Sequence, residues 1–167
     1  MRAWMGTAHL AYRRSDWRGQ PTVGLKADLS SGDRGATAPN ETFVPPYPSG
    51  RYTGAGSRLG PGNLINVRPV LGIRLGGSLH LRLKGYAFWR LRASDAVYAI
   101  WGAPLRTAPD SDARFVGWMP EGVLMWNAGR HLTLALEGSH FVPGPVLPES
   151  GPGRGLTHVG LRAKYVF

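Results

Sequence analysis

The sequence predicts an all-β protein, an antiparallel transmembrane β-barrel, on three observations. Apolar and polar residues alternate along segments of about ten residues, the period of a strand with two unlike faces. The 24 Gly and 14 Pro among 167 residues interrupt the chain too often for long helices. Connections between the segments are short on one side and long on the other, as in a barrel that spans a membrane.

Seven segments carry the alternation. The first, residues 3–12, sets Trp4, Ala8, Leu10 and Tyr12 on one face. In the second, residues 20–30, Val23, Leu25, Ala27 and Leu29 oppose Thr22, Lys26 and Asp28. The third, residues 64–75, opposes Ile65, Val67, Leu71, Ile73 and Leu75 to Asn66, Arg68 and Arg74. The fourth, residues 79–92, is the clearest: Leu79, Leu81, Leu83, Ala87, Trp89 and Leu91 lie against His80, Arg82, Lys84, Tyr86, Arg90 and Arg92. In the fifth, residues 114–126, Val116, Trp118, Leu124 and Trp126 share a face opposite Glu121. The sixth, residues 131–141, sets Leu132, Leu134 and Leu136 against Thr133, Glu137 and Ser139. The seventh runs to the C-terminus, with Val159, Leu161, Ala163, Tyr165 and Phe167 opposite His158, Gly160, Arg162 and Lys164. Leu161, Tyr165 and Phe167 form the aromatic-ended signature of a closing barrel strand.

The connections divide by length. Gly76-Gly77-Ser78 and Asn127-Ala128-Gly129-Arg130 read as tight hairpin turns, and residues 13–19 are moderately short. Residues 31–62, 93–113 and 142–154 are long and rich in Gly, Pro and polar residues, and the first is long enough to fold over the mouth. With the C-terminus in the periplasm, every short turn falls there and every long loop falls outside.

Composition narrows the function. Hydrophobic residues make up 43% of the chain, yet no apolar run approaches the roughly 18 residues of a membrane helix. The absence of cysteine excludes disulfides and cysteine-ligated metals. The five His show no paired metal spacing, and neither metal nor cofactor is expected. Twenty Lys and Arg against ten Asp and Glu give a net charge of +10, which calls for an anionic partner. On the face opposite the apolar residues stand Lys26, Arg68, Arg74, Arg82, Lys84, Arg90, Arg92, Arg162 and Lys164, with only Asp28, Glu121 and Glu137 to oppose them. Nine cations cannot all be paired by three carboxylates, so an excess remains for a passing anion. Nucleic-acid surfaces interleave aromatics with cations, whereas here most Trp lie on the opposite face. A soluble basic β-domain binding nucleic acid is therefore the least favoured alternative, and nucleic acid is not an expected partner. Glu121 and Glu137 on neighbouring strands have the look of a glycosidase pair, but carboxylates among arginines read as wall residues. No nucleophile–base arrangement stands out, and no enzyme is expected.

Several pieces in a fixed order go further. Ala27-Asp-Leu-Ser-Ser-Gly-Asp33 is followed by Thr42-Phe-Val-Pro-Pro-Tyr-Pro48, Arg51-Tyr-Thr-Gly54 and Gly62-Asn-Leu-Ile65, then by Phe88-Trp-Arg90, Asp95-Ala-Val-Tyr98 and Val116-Gly117. This order resembles the C-terminal part of the alginate export family of outer-membrane β-barrels. The resemblance implies a barrel of about 18 strands, of which this chain holds about seven, leaving about eleven unaccounted for. Residues 1–167 are thus expected to form one partial barrel domain. The opening Met1-Arg-Ala-Trp-Met-Gly, which has no apolar signal region, fits a chain that continues upstream.

The resemblance also implies a location in the bacterial outer membrane and an arginine-rich lumen that passes an alginate-like anionic polysaccharide. A porin for small anionic solutes is the alternative. Arg90, inside the matched Phe-Trp-Arg piece, is the leading candidate for a lumenal contact. The partners expected are the polysaccharide, outer-membrane lipid, the barrel assembly machinery and periplasmic export proteins.

Overall fold

The computed structural model describes residues 2–35, 40–107 and 110–167. Nine strands and one short helix follow in chain order: β1 (Met5–Arg13), β2 (Thr22–Ser30), β3 (Leu64–Arg74), β4 (Leu79–Arg90), β5 (Val97–Tyr98), β6 (Pro104–Arg106), β7 (Phe115–Ala128), β8 (Leu132–Pro143), α1 (Val146–Glu149) and β9 (Leu156–Tyr165). Seven strands form one sheet in the order β1-β2-β3-β4-β7-β8-β9, each antiparallel to its neighbours. Among the described residues β1 and β9 do not pair with each other, so this sheet is not closed. Strands β5 and β6 make a separate two-stranded hairpin inside the long connection after β4. No helix among the described residues is long and apolar enough to cross a membrane.

Register aligns the two faces across the whole sheet. His9 stands opposite Lys26, Lys26 opposite Arg68, Val70 opposite Lys84, Lys84 opposite Glu121, and Glu121 opposite Ser139 opposite His158. Apart from Val70, every residue in this row is polar or charged. The other face joins Leu10, Leu25, Leu71, Leu83, Leu136 and Leu161, all exposed large apolar side chains. A continuous exposed apolar surface of this extent marks contact with an apolar medium, and its alternation with a polar face is the pattern of a membrane barrel wall.

Aromatic residues bound the apolar face. Trp126 stands opposite Leu79 at the short-turn end, and Phe115 opposite Trp89 at the long-loop end. The two levels are ten residues apart along β4, which at about 3.3 Å per residue and a tilt of about 40° gives a height of about 25 Å. That matches the apolar band of an outer-membrane barrel.

One departure from simple alternation occurs where β4 meets β7. The register shifts between Phe88 and Trp89, so that Phe115, not Val116, faces Trp89. Gly117 takes φ +150°, a conformation open to glycine, and any side chain there would run into Phe141 and the Val142 carbonyl. Val116, expected on the apolar face with Trp118, is consequently turned inward and fully buried.

The apolar core lies on the inner face toward the long-loop end. Leu64, Tyr86, Phe88, Met119 and Phe141 form the floor, and Leu59, Val97 and Val146 from the three long connections cover it. The Phe88 ring stands 5.9 Å from that of Tyr86 and 6.3 Å from that of Phe141. All three long connections fold inward onto the wall, where burial of these side chains holds them.

Candidate functional site

The inner face has three zones, ordered from the short-turn end to the long-loop end. Alternation along β1, β3 and β4 brings Arg13, Arg74, His80 and Arg82 around one cavity of about 220 Å³ at the short-turn end. No carboxylate among the described residues lines it. Arg13 donates to the Gln20 side chain at 2.8 Å, an uncharged partner that leaves its charge uncompensated. Arg162 and Lys164 continue this level on β9, through their pairing with Ala135 and Thr133 of β8. Among the described residues Arg13, Arg74, Arg82, Arg162 and Lys164 take part in no ion pair.

The middle zone contains the three carboxylates, all buried. Asp28 accepts from Thr7 at 2.6 Å and from the Asn66 amide at 3.2 Å, and lies 3.1 Å from the Lys26 ammonium. Glu121 is 2.6 Å from Lys84 and accepts the backbone N–H of Ala55 at 2.7 Å. Glu137 receives both arms of the Arg51 guanidinium, at 2.6 and 3.1 Å, and has His158 at 3.6 Å. A paired, hydrogen-bonded carboxylate tolerates burial that an isolated one would not. The wall therefore compensates its acidic residues with Lys26, Lys84 and the loop residue Arg51, and leaves the cations of the first zone free.

Residues 51–57 of the connection after β2 cross this middle zone. Tyr52 rests near Lys26, whose ammonium is 5.5 Å from the ring centroid. Ala55 bonds Glu121 on β7 through its N–H, and its carbonyl accepts from Ser139 on β8 at 2.6 Å. Gly54, at φ +103°, packs so closely on Met119, Glu121 and Tyr86 that any side chain would collide with the Met119 methyl. The segment is thus bolted across the wall from β2 to β8.

The third zone is a network that ties two long connections together. Asp95 accepts the Asp33 N–H at 2.7 Å, the Thr42 hydroxyl at 2.8 Å and the Tyr98 hydroxyl at 2.6 Å. Burial, followed by the hydrogen bond to Asp95, pushes the Tyr98 hydroxyl up from its ordinary value to about 12. Asn63 donates to the Arg92 and Ala96 carbonyls at 2.9 and 3.0 Å and accepts the Arg92 N–H at 2.7 Å.

Two of the nine expected wall cations do not line the open part of the inner face. Arg90 is 1% exposed: its guanidinium donates to the carbonyls of Ser111 at 2.6 Å, Ala113 at 3.0 Å and Asp95 at 3.3 Å. It anchors the connection after β4 and offers nothing to a lumen, because the inward-folded loops cover this end of the wall. Arg92 lies beyond the end of β4, exposed in that connection. Of the rest, Lys26 and Lys84 are ion-paired, and Arg68 is stacked with its guanidinium 5.3 Å from the Tyr86 ring centroid. Arg74, Arg82, Arg162 and Lys164 remain free. Leu161 and Tyr165 lie on the exposed apolar face of β9, with the Phe167 ring 6.2 Å from that of Tyr165.

Sequence reasoning missed Arg13 and Arg51. The alternation of the first segment, continued one residue, would have found Arg13. Arg51 sits in the motif Arg51-Tyr-Thr-Gly54, but nothing in a loop's sequence tells which carboxylate it reaches. The described residues hold no cluster of His, Asp and Glu that could bind a metal.

A family model described as alginate export matches residues 1–157 of the chain. No curated protein matches it.

Proposed function

The chain belongs to the alginate export family, and from that membership we propose that its polar face is the lumenal wall of an outer-membrane channel exporting an anionic, alginate-like polysaccharide. The observation that carries this reading is the group of unpaired cations, Arg13, Arg74 and Arg82, around a cavity with no carboxylate. Arg162 and Lys164 extend the same level on β9.

The chemistry follows from the polymer. An acidic polysaccharide carries about one carboxylate per sugar, so it presents a row of charges rather than a single group. Arginine suits such a row, since its planar fork matches a carboxylate and keeps its charge at any relevant pH. Conduction needs contacts that release as readily as they bind. Spread, partly hydrated cations supply such contacts, and a single buried clamp such as the one Glu137 makes on Arg51 would not. With the short turns in the periplasm, the polymer meets the free cations first and then the zone spanned by residues 51–57.

That crossing segment favours a second reading, a porin for small anionic solutes, because it occupies space along the wall. The two readings part in a planar bilayer. A polyuronate added on the short-turn side of an exporter enters the pore and interrupts the chloride current in a concentration-dependent way. In a small-solute porin the same polymer leaves the current unchanged, and only mono- and disaccharide uronates permeate.

A further inference from the structure

A second cavity, of about 340 Å³, opens at the long-loop end of the polar face. Its apolar part is formed by Leu59, Leu105, Phe141 and Leu147, and its charged part by Arg58, Arg106 and Arg154; no carboxylate among the described residues lines it. The apolar residues belong to the core cluster or pack directly on it, so the floor is fixed by the same burial that holds the loops. Arg106 is fixed as well, donating to the Leu105 carbonyl at 2.8 Å and the Pro152 carbonyl at 3.0 Å. Its Nε is buried and has no hydrogen-bond partner among the described residues. A buried donor without a partner costs free energy unless a ligand or water satisfies it. Among the described residues Arg58 and Arg154 take part in no ion pair.

We infer that this cavity is a binding site for a short stretch of carboxylated sugar. The volume is at the lower end of the range for ligand pockets, about 300–1,000 Å³, which suits a short oligosaccharide segment and excludes a folded partner. The C–H faces of a sugar ring lie against apolar and aromatic side chains, while its carboxylate pairs with guanidinium groups. A floor of Leu and Phe rimmed by three arginines answers both halves of that chemistry. Phe141 of β8 pairs with Leu156 of β9, and both line the cavity on the face that carries Glu137 and His158. The site therefore opens on the polymer side of the wall and away from the lipid-facing side. Its ligand class rests on the export reading above, in which this is where the chain emerges.

The test is titration calorimetry of the detergent-solubilised protein with a hexuronic acid trimer. The trimer binds the parent protein, and a carboxyl-reduced neutral trimer binds at least about tenfold more weakly. Arg58→Gln with Arg154→Gln, at exposed side chains that brace nothing in the described structure, lowers trimer affinity at least about tenfold while the urea unfolding midpoint stays at the parent value. Equal binding by the double variant, equal binding of the neutral trimer, or no binding to the parent at millimolar trimer overturns the inference. So does binding of a phosphorylated glucosamine disaccharide in place of the trimer, which would make this a lipid-headgroup site. A parent pore that proves cation-selective yet binds the trimer through Arg58 and Arg154 would remove the export reading and leave the site standing.

Discussion

Arg90 and Arg82 are two residues of the same face of the same strand with opposite fates. Alternation puts both on the polar side of β4, and that much was legible. What separates them is the cover above: Arg90 lies under the connection after β4 and saturates its carbonyls, while Arg82 lines an open cavity. Replacing Arg90 by Ala leaves several buried acceptors without donors and should lower stability by about 3 kcal/mol, with ion selectivity unchanged. Urea unfolding followed by Trp fluorescence reads the first, and the bilayer reads the second. A selectivity change without loss of stability would return Arg90 to the lumen. Tyr98 makes a sharper point about the same network. Because its hydroxyl is raised to about 12, the neutral form is the one the fold favours. Its contribution is intact below the ordinary tyrosine value near 10 and is lost as pH climbs through about 12. The difference in tyrosinate absorbance between the parent and Tyr98→Phe should therefore rise near pH 12; a rise near pH 10 would mean that the Asp95 network is open.

The elements were legible in proportion to their periodicity. All seven sheet strands follow from period-two alternation, because a wall with lipid on one side and polar groups on the other constrains every residue. The connections carry no such repeat. Their inward fold depends on single distant contacts, such as Arg51 to Glu137, 86 positions apart in sequence, and local pattern does not encode those. The bulge at Gly117 was hidden for a related reason, since a register shift reverses the faces of the residues beyond it. The motifs that order the family resemblance prove to be the interlocking points of these loops: Asp33, Thr42, Asp95 and Tyr98 meet in one network. The segment across the wall rests on Arg51, Ala55 and Gly54. Gly54→Val, which adds a side chain where Met119 leaves no room, should displace that segment and raise single-channel conductance, as should Arg51→Gln to a smaller degree. Conductance at the parent level in both variants would show that the segment does not narrow the pore.

At the scale of the molecule, charge placement matters more than charge count. The net +10 of the chain suggested an anionic partner without choosing one. The register of seven strands places the unpaired strand cations Arg13, Arg74, Arg82, Arg162 and Lys164 at the short-turn half of the inner face and leaves the outer face apolar. On the proposed export reading, such a wall should lower the barrier to anions and raise it to cations, within a Debye length of about 8 Å at physiological salt. The most direct measurement is the reversal potential of the protein in a planar bilayer under a potassium chloride gradient. Its sign should report chloride over potassium, and Arg74→Glu with Arg82→Glu should move it toward potassium. A cation-selective parent, or a potential that the two charge reversals leave unmoved, would contradict a cationic lumen wall.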